Sequence, residues 1–223
     1  MLILAGLGVA ACATPEPVKK ELSAQEIVDR SSEKMEALKS LHFRLEVLEG
    51  KLALGPGISV DAVEGDAAVP GRIRIKTKTT LVGMSVDVEF ISVDGKQYLR
   101  NPLTKRWDNL PVAVAPASLF DRERGATSIM KGAKNLTKLP DEVFDGTESY
   151  HISGSVEPSA VSTIIGGVPS EAQVPVEAWI GTDDFLLRQI RLEGPLVQGD
   201  SPKVVRVLKL SKFDEPVNIE PPA

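Results

Sequence analysis

A two-residue period in the apolar side chains is the feature that most restricts the fold of this 223-residue chain. Residues 41–47 alternate apolar and polar side chains, the pattern of a β-strand with one face on a core and the other in water. The same alternation returns at residues 72–78 and 85–90. Asp94-Gly95 then supplies the residue pair typical of a tight hairpin turn. This stretch is therefore expected to form an antiparallel meander.

Helical patterns interrupt the strands at three places. Residues 24–40 carry apolar side chains at three- and four-residue spacing behind a Ser-Ala-Gln-Glu capping box, which predicts an amphipathic helix. Residues 116–135 predict a second helical segment, split at Gly125, and residues 159–165 predict a third. Further strands are predicted at residues 150–156, 174–180, 185–193 and 203–213.

These elements place the chain in the α+β class, with one antiparallel sheet covered on one side by helices. Nothing in the sequence marks a boundary between two domains. A sheet of about eight to eleven strands tends to curl. With aliphatic side chains on its concave face, a curled sheet encloses either a solid core or a cavity, and the alternation alone allows both.

The charge balance argues against a nucleic-acid-binding protein. Lys and Arg number 26 against 31 Asp and Glu, a net charge of -5, whereas binding to phosphates needs clustered Lys and Arg. Aromatic residues make up only 4% of the chain, so Ile, Val and Leu must supply most of the apolar burial.

The single cysteine, Cys12, ends an uninterrupted apolar run. That run, residues 1–11, is about half as long as a membrane-spanning helix of roughly 20 residues and has the length of a signal-peptide core. Val9-Ala10-Ala11-Cys12 resembles the bacterial lipobox, in which small residues precede a cysteine that receives diacylglycerol. Residues 12–22 are then expected to form a lipidated tether, which two or more acyl chains anchor stably. No basic residue precedes the run, as one normally does in a signal peptide.

The candidates for catalysis have simpler explanations. His42 and His151, the only histidines, lie in predicted strands and are expected to be solvated rather than to act as a base or a metal ligand. Asp183 and Asp184 are adjacent carboxylates in a predicted turn. The sequence contains no nucleophile elbow, phosphate loop or His-Glu-x-x-His motif. The chain is therefore expected to be no enzyme, with no catalytic residue, metal or cofactor.

Four basic side chains share one face of a predicted strand: Arg72, Arg74, Lys76 and Lys78. A solvated face is the simpler interpretation. Contact with anionic lipid head groups is the functional alternative, since each basic residue near such a surface contributes about 1 kcal/mol.

The order of elements resembles the LppX, LprG, LprA and LprF lipoproteins of mycobacterial type, over nearly all of residues 12–214. The most specific pieces are Ser118–Gly125, Val174–Gly181 and Leu186–Ile190. The resemblance implies a half-open barrel related to the Lol lipoprotein carriers, a curved sheet packed on helices around an apolar cavity for acyl chains. It also implies a protein that carries lipid or glycolipid across the cell envelope.

The resemblance implies a face rather than a catalytic set as the site. The residues expected to line the lipid cavity are Phe43, Leu45, Ile73, Ile75, Val86, Val88, Phe90, Leu119, Ile129, Val176, Ile180 and Ile190. The expected protein is a monomer anchored through Cys12 on the extracytoplasmic face of the cell membrane, with a lipid exporter as a possible partner. Residues 23–214 would form its domain and residues 215–223 a flexible tail. The alternative is an envelope lipoprotein that binds another protein as a sensor or assembly factor.

Overall fold

The computed structural model describes residues 21–50, 52–55, 58–60, 62–81, 84–110, 125–165 and 168–222. Three helices lie in these ranges: α1 (Ala24–Glu36), α2 (Ala126–Lys131) and α3 (Pro158–Ile165). The strands are β1 (Ser40–Val47), β2 (Leu52–Gly55), β3 (Ile58–Val60), β4 (Ala62–Ala68), β5 (Arg72–Leu81), β6 (Met84–Val93), β7 (Lys96–Arg100), β8 (Trp107–Leu110), β9 (Lys134–Lys138), β10 (Glu142–Phe144), β11 (Thr147–Val156), β12 (Val174–Gly181), β13 (Leu187–Glu193) and β14 (Val205–Ser211).

Twelve of these strands form one antiparallel sheet in the order β10-β11-β12-β13-β14-β1-β4-β5-β6-β7-β8, with β9 also paired to β11. β2 and β3 form a separate hairpin. Within the described strands, the edges β8 and β10 do not pair with each other, so the sheet is an unclosed half-barrel. This confirms the predicted α+β class and the single curved antiparallel sheet. Short strands such as β9 and β10 bring the strand number above the expected one, because a strand of three to five residues shows too little alternation to be recognised in the sequence.

Helix α1 begins as the capping box predicts. The Glu26 backbone N–H donates to Ser23 Oγ over 3.2 Å, and the Ser23 N–H donates to the Glu26 carboxylate over 2.9 Å. The helix ends at Glu36 rather than near residue 40. The chain must turn there to enter β1 at Ser40, and Leu38 in this turn is buried in the core.

The centre of the sheet packs closely around one aromatic ring. Phe43 of β1 lies in register between Leu210 of β14 and Gly65 of β4. A Cβ atom at Gly65 would lie 2.9 Å from the Phe43 ring and 2.0 Å from the Arg74 carbonyl oxygen. Only glycine therefore leaves room for the ring and for the neighbouring strand. The hairpin between β6 and β7 also forms as predicted, with Asp94 at φ 51° and Gly95 at φ 78°.

The segment after β14, predicted to be a flexible tail over residues 215–223, contains a buried residue. Ile219 is only 1% exposed and packs with Ile91 and Val93 on the convex side of the sheet. Arg72 donates to the Ile219 carbonyl oxygen over 3.3 Å. The prolines of this segment predict a frayed end, whereas the side chains of Val217 and Ile219 give it an apolar surface to bury. Val217 and Ile219 therefore contact the domain, while the charged and polar residues around them are exposed.

Candidate functional site

All of the predicted cavity residues that lie in strands share one face of the sheet. The register chain Phe43–Gly65–Ile75–Phe90 puts β1, β4, β5 and β6 in phase. On the other side of β1, Leu45 lies opposite Leu208, and Leu208 lies opposite Ile190. The face so defined is the concave one, because α1 packs on it. Strand alternation thus predicts which side chains share this face, while their contact with a lipid stays a prediction.

Under α1, the concave face is a packed core. Ile27 and Val28 of the helix and Ile180 of β12 are each 0% exposed. The void beside them measures about 10 Å³, which is close to the space that one water molecule needs. The predicted cavity residues in the same buried cluster are Phe43, Ile73, Ile75, Val176, Ile180 and Ile190. In this half, then, the face is filled by the protein's own side chains.

Towards β8, the same face has a different composition. Val88 is 6% exposed, and the predicted neighbours Val86 and Phe90 are half-buried. Thr77 lies opposite Val88, and its hydroxyl donates to the Ala62 carbonyl oxygen over 2.6 Å. Val88 lies outside the buried apolar clusters of the described residues, whereas Phe90 packs against the edge of the main cluster. Its half of the face is therefore the better candidate for a binding surface.

The remaining predicted site residues lie elsewhere. Ile129 in α2 is half-buried and packs against the main core. Leu119, the segment Ser118 to Arg124 around it, and the lipobox cysteine Cys12 lie outside the described residues.

Arg206 is the residue of this face that the sequence analysis missed. It lies in β14 between Val47 of β1 and Leu192 of β13, and it is only 6% exposed. Its Nη2 donates to Asp200 Oδ1 over 2.7 Å. The signal was available, because Arg206 is in phase with Leu208 on the apolar side of its strand.

Asp200 is held in its ionised form beside Arg206. Burial by itself would raise the pKa of Asp200. The hydrogen bond from Arg206 and the backbone N–H groups of Val197 and Leu196 outweigh burial, so the pKa lies below its usual value. Those N–H groups donate to the carboxylate over 3.1 and 2.9 Å. The loop between β13 and β14 therefore presents Asp200 as a fixed partner for the arginine.

The predicted basic row lies on the convex face of β5: Arg72, Arg74, Lys76 and Lys78. The register sets Lys76 between Glu64 and Glu89, and Lys78 opposite Asp87. Across the same face, Arg44 pairs with Glu64 over 2.9 Å, and Arg100 pairs with Glu89 over 3.5 Å. A groove of about 580 Å³ is lined mainly by these charged side chains, and also by Val63, Thr77 and Val88. Because acidic neighbours match the basic row, the arrangement favours a solvated face over a surface for anionic head groups.

Both histidines also lie on the convex face. His42 Nδ1 lies 2.8 Å from Asp66 Oδ1. His151 stacks on Trp179 with ring centroids 4.5 Å apart, and its Nδ1 lies 3.2 Å from Glu142 Oε1. Neither faces the concave site. Among the described residues, no group of three or more His, Cys, Asp or Glu side chains is placed to hold a metal ion.

The three described helices have 13, 6 and 8 residues. None of them is both long enough and apolar enough to cross a bilayer.

The sequence model of the LppX_LprAFG lipoprotein family matches residues 23–219. The chain belongs to this family. The resemblance drawn from its strand order and motifs is thereby confirmed.

Other LppX_LprAFG lipoproteins show how far the sequence has diverged. The LprG protein of Mycobacterium tuberculosis, named a lipoarabinomannan carrier, is 28% identical over 203 residues, which cover 89% of this chain and 82% of LprG. LprG of Mycolicibacterium smegmatis is 26% identical over 206 residues, covering 88% and 82%.

Two solved structures share the fold. LprF from Mycobacterium bovis matches with a TM-score of 0.69 and 18% identity, over 90% of this chain and 97% of LprF. LppX from Mycobacterium tuberculosis matches with a TM-score of 0.64 and 22% identity, over 88% and 98%. At these identities the likeness speaks for the half-barrel alone.

Proposed function

We propose that this chain is a membrane-anchored lipoprotein that binds the acyl chains of a lipid or glycolipid and carries them across the cell envelope without catalysing a reaction. The observation that carries the proposal is the apolar concave face of an unclosed sheet. Membership of a lipoprotein family and a relative named as a lipoarabinomannan carrier support it.

The acyl chains would bind on the half of the concave face that carries Val86, Val88 and Phe90. Ile180 and its neighbours are already in contact with α1, so no surface is left there for a ligand. Moving apolar surface from water to such a face contributes about 25 cal/mol per Å², or about 0.8 kcal/mol per methylene. A lipid with long acyl chains therefore gains enough free energy for stable but reversible binding.

The anchor would be diacylglycerol on Cys12, with residues 12–22 as a tether that holds the domain at the extracytoplasmic face of the membrane. Two or more acyl chains suffice for stable anchoring, whereas one gives only reversible attachment. A membrane lipid exporter would be its partner, and the domain would work as a monomer.

The test is native mass spectrometry of the full chain purified from its host, followed by extraction and mass analysis of the lipids. A carrier should release a non-covalent lipid in addition to the covalent anchor. The matched control is Val88→Trp, whose indole should block the site and remove only the non-covalent lipid. A folded wild-type protein that holds its anchor and no other lipid would overturn the proposal. Recovery of a stoichiometric protein instead would support an assembly or sensor role.

A further inference from the structure

This inference rests on the proposed function in one respect, that a lipid occupies the concave face. On that face, the row Val47, Arg206, Leu192 and Val176 crosses β1, β14, β13 and β12. Arg206 is the one charged member of the row and is 6% exposed. Its Nε and Nη1 atoms are buried and have no hydrogen-bond partner among the described residues.

Asp200 satisfies the hydrogen-bond donors of only one of the three nitrogens of Arg206. It engages Nη2, and its other oxygen already accepts from the Leu196 and Val197 N–H groups. A purely structural ion pair would leave the N–H donors on two nitrogens of a planar guanidinium desolvated and unpaired, which costs free energy. Buried polar groups in folded proteins nearly always have a partner, so these donors call for acceptors that the described part of the chain does not supply.

We propose that Arg206 binds the ester carbonyl oxygens of a diacyl lipid. Asp200 already balances the charge of the guanidinium, so neutral acceptors satisfy the free donors without a second anion. A diacyl lipid brings two carbonyl oxygens to one place, at the junction between its acyl chains and its head group.

The position of Arg206 also sets the orientation of the lipid. Val47 is the last residue of β1, and Arg206 is the second residue of β14, so the arginine lies where the concave face ends. The acyl chains would extend from there across the concave face past Leu45 and Val63 towards Val88. The head group would lie beyond the strand ends, beside the loop that carries Asp200.

The experiment compares two lipids that differ only in the carbonyl groups. Dipalmitoyl phosphatidylglycerol and its dihexadecyl ether analogue are each titrated against the full-length wild-type protein. Loss of hydrogen bonds to a charged donor should weaken binding of the ether analogue about tenfold. The double variant Arg206→Met/Asp200→Asn removes both charges together and keeps an oxygen for the loop N–H groups, so it should bind both lipids with equal affinity.

Arg191→Met is the matched control, because Arg191 lies on the convex side of the adjacent strand β13 and pairs with Glu193 over 2.7 Å. It should keep the preference for the ester. Equal binding of both lipids by the wild-type protein would overturn the role of Arg206 while leaving the carrier function intact, and this comparison needs no variant to fold. A folded double variant that keeps the preference would overturn it as well. Binding of neither lipid would count against the carrier function itself.

Discussion

The concave face of the sheet has two halves that share the same strand alternation and differ in composition and packing. Under α1, Ile27, Val28 and Ile180 are fully buried around a void of about 10 Å³. Across β5 to β7, apart from Ile73 and Ile75 in the core, the apolar residues Val86 and Phe90 are only half-buried, and polar residues lie among them. The buried polar side chains of that half are Thr77, Thr79, Ser92 and Gln97. Strand alternation therefore defines the face, while the position of the helix decides which half is core.

The largest effect is expected where the helix fills the face. Ile27→Ala should lower the free energy of unfolding by about 2–5 kcal/mol, because it removes a fully buried side chain and leaves a cavity. Urea denaturation followed by circular dichroism measures this loss. The control is Val86→Ala in the other half, which should cost less than about 1.5 kcal/mol. Equal losses would show that the two halves are packed alike.

Tryptophan at matched depths separates core from site. Ile180→Trp should cost about 1–3 kcal/mol, since the void beneath α1 cannot hold an indole. Val88→Trp should cost less than about 1 kcal/mol and still remove the bound lipid. Thermal denaturation and lipid extraction of both variants give the comparison. A stable Val88→Trp protein that recovers lipid normally would place the ligand elsewhere.

A smaller effect is expected at the start of α1. Ser23→Ala removes the oxygen that accepts the Glu26 N–H and should destabilise the protein by about 1 kcal/mol. Ser23→Thr keeps an acceptor and should lose only a few tenths of this. Urea midpoints measure both. If the lipid binds on the β5 to β7 half, neither change should alter lipid affinity, and a large change would tie the ligand to the helix-covered half.

Much of this architecture could be predicted because strand patterns and turn signals are local. Residues 41–47 and the Asp94-Gly95 pair specify their own geometry, and the capping box specifies the start of α1. The position of α1 on the sheet could not be predicted, because it depends on which side chains the pairing of distant strands brings beneath the helix. Arg206 could have been found from its phase with Leu208. The burial of Ile219 could not, because its partners Ile91 and Val93 lie more than a hundred residues earlier in the chain.

The smallest effect concerns the end of the concave face, where Asp200 meets Arg206. Burial raises the pKa of Asp200, and hydrogen bonds from Arg206, Val197 and Leu196 lower it by more. The net result is a pKa below the usual value. Because the folded-state pKa is below the usual value of about 3.9, ionised Asp200 contributes stability above that pH. This contribution is lost as the pH falls through the lowered folded-state value.

Urea denaturation across the acid range should therefore show a flatter profile for Asp200→Asn than for the wild type. Asp183→Asn, a change at an exposed turn residue, should leave the wild-type slope unchanged. An unchanged slope in Asp200→Asn would mean that the pair contributes little to the fold. The charge of Arg206 would then lack the balance that lets neutral ester oxygens satisfy its free donors.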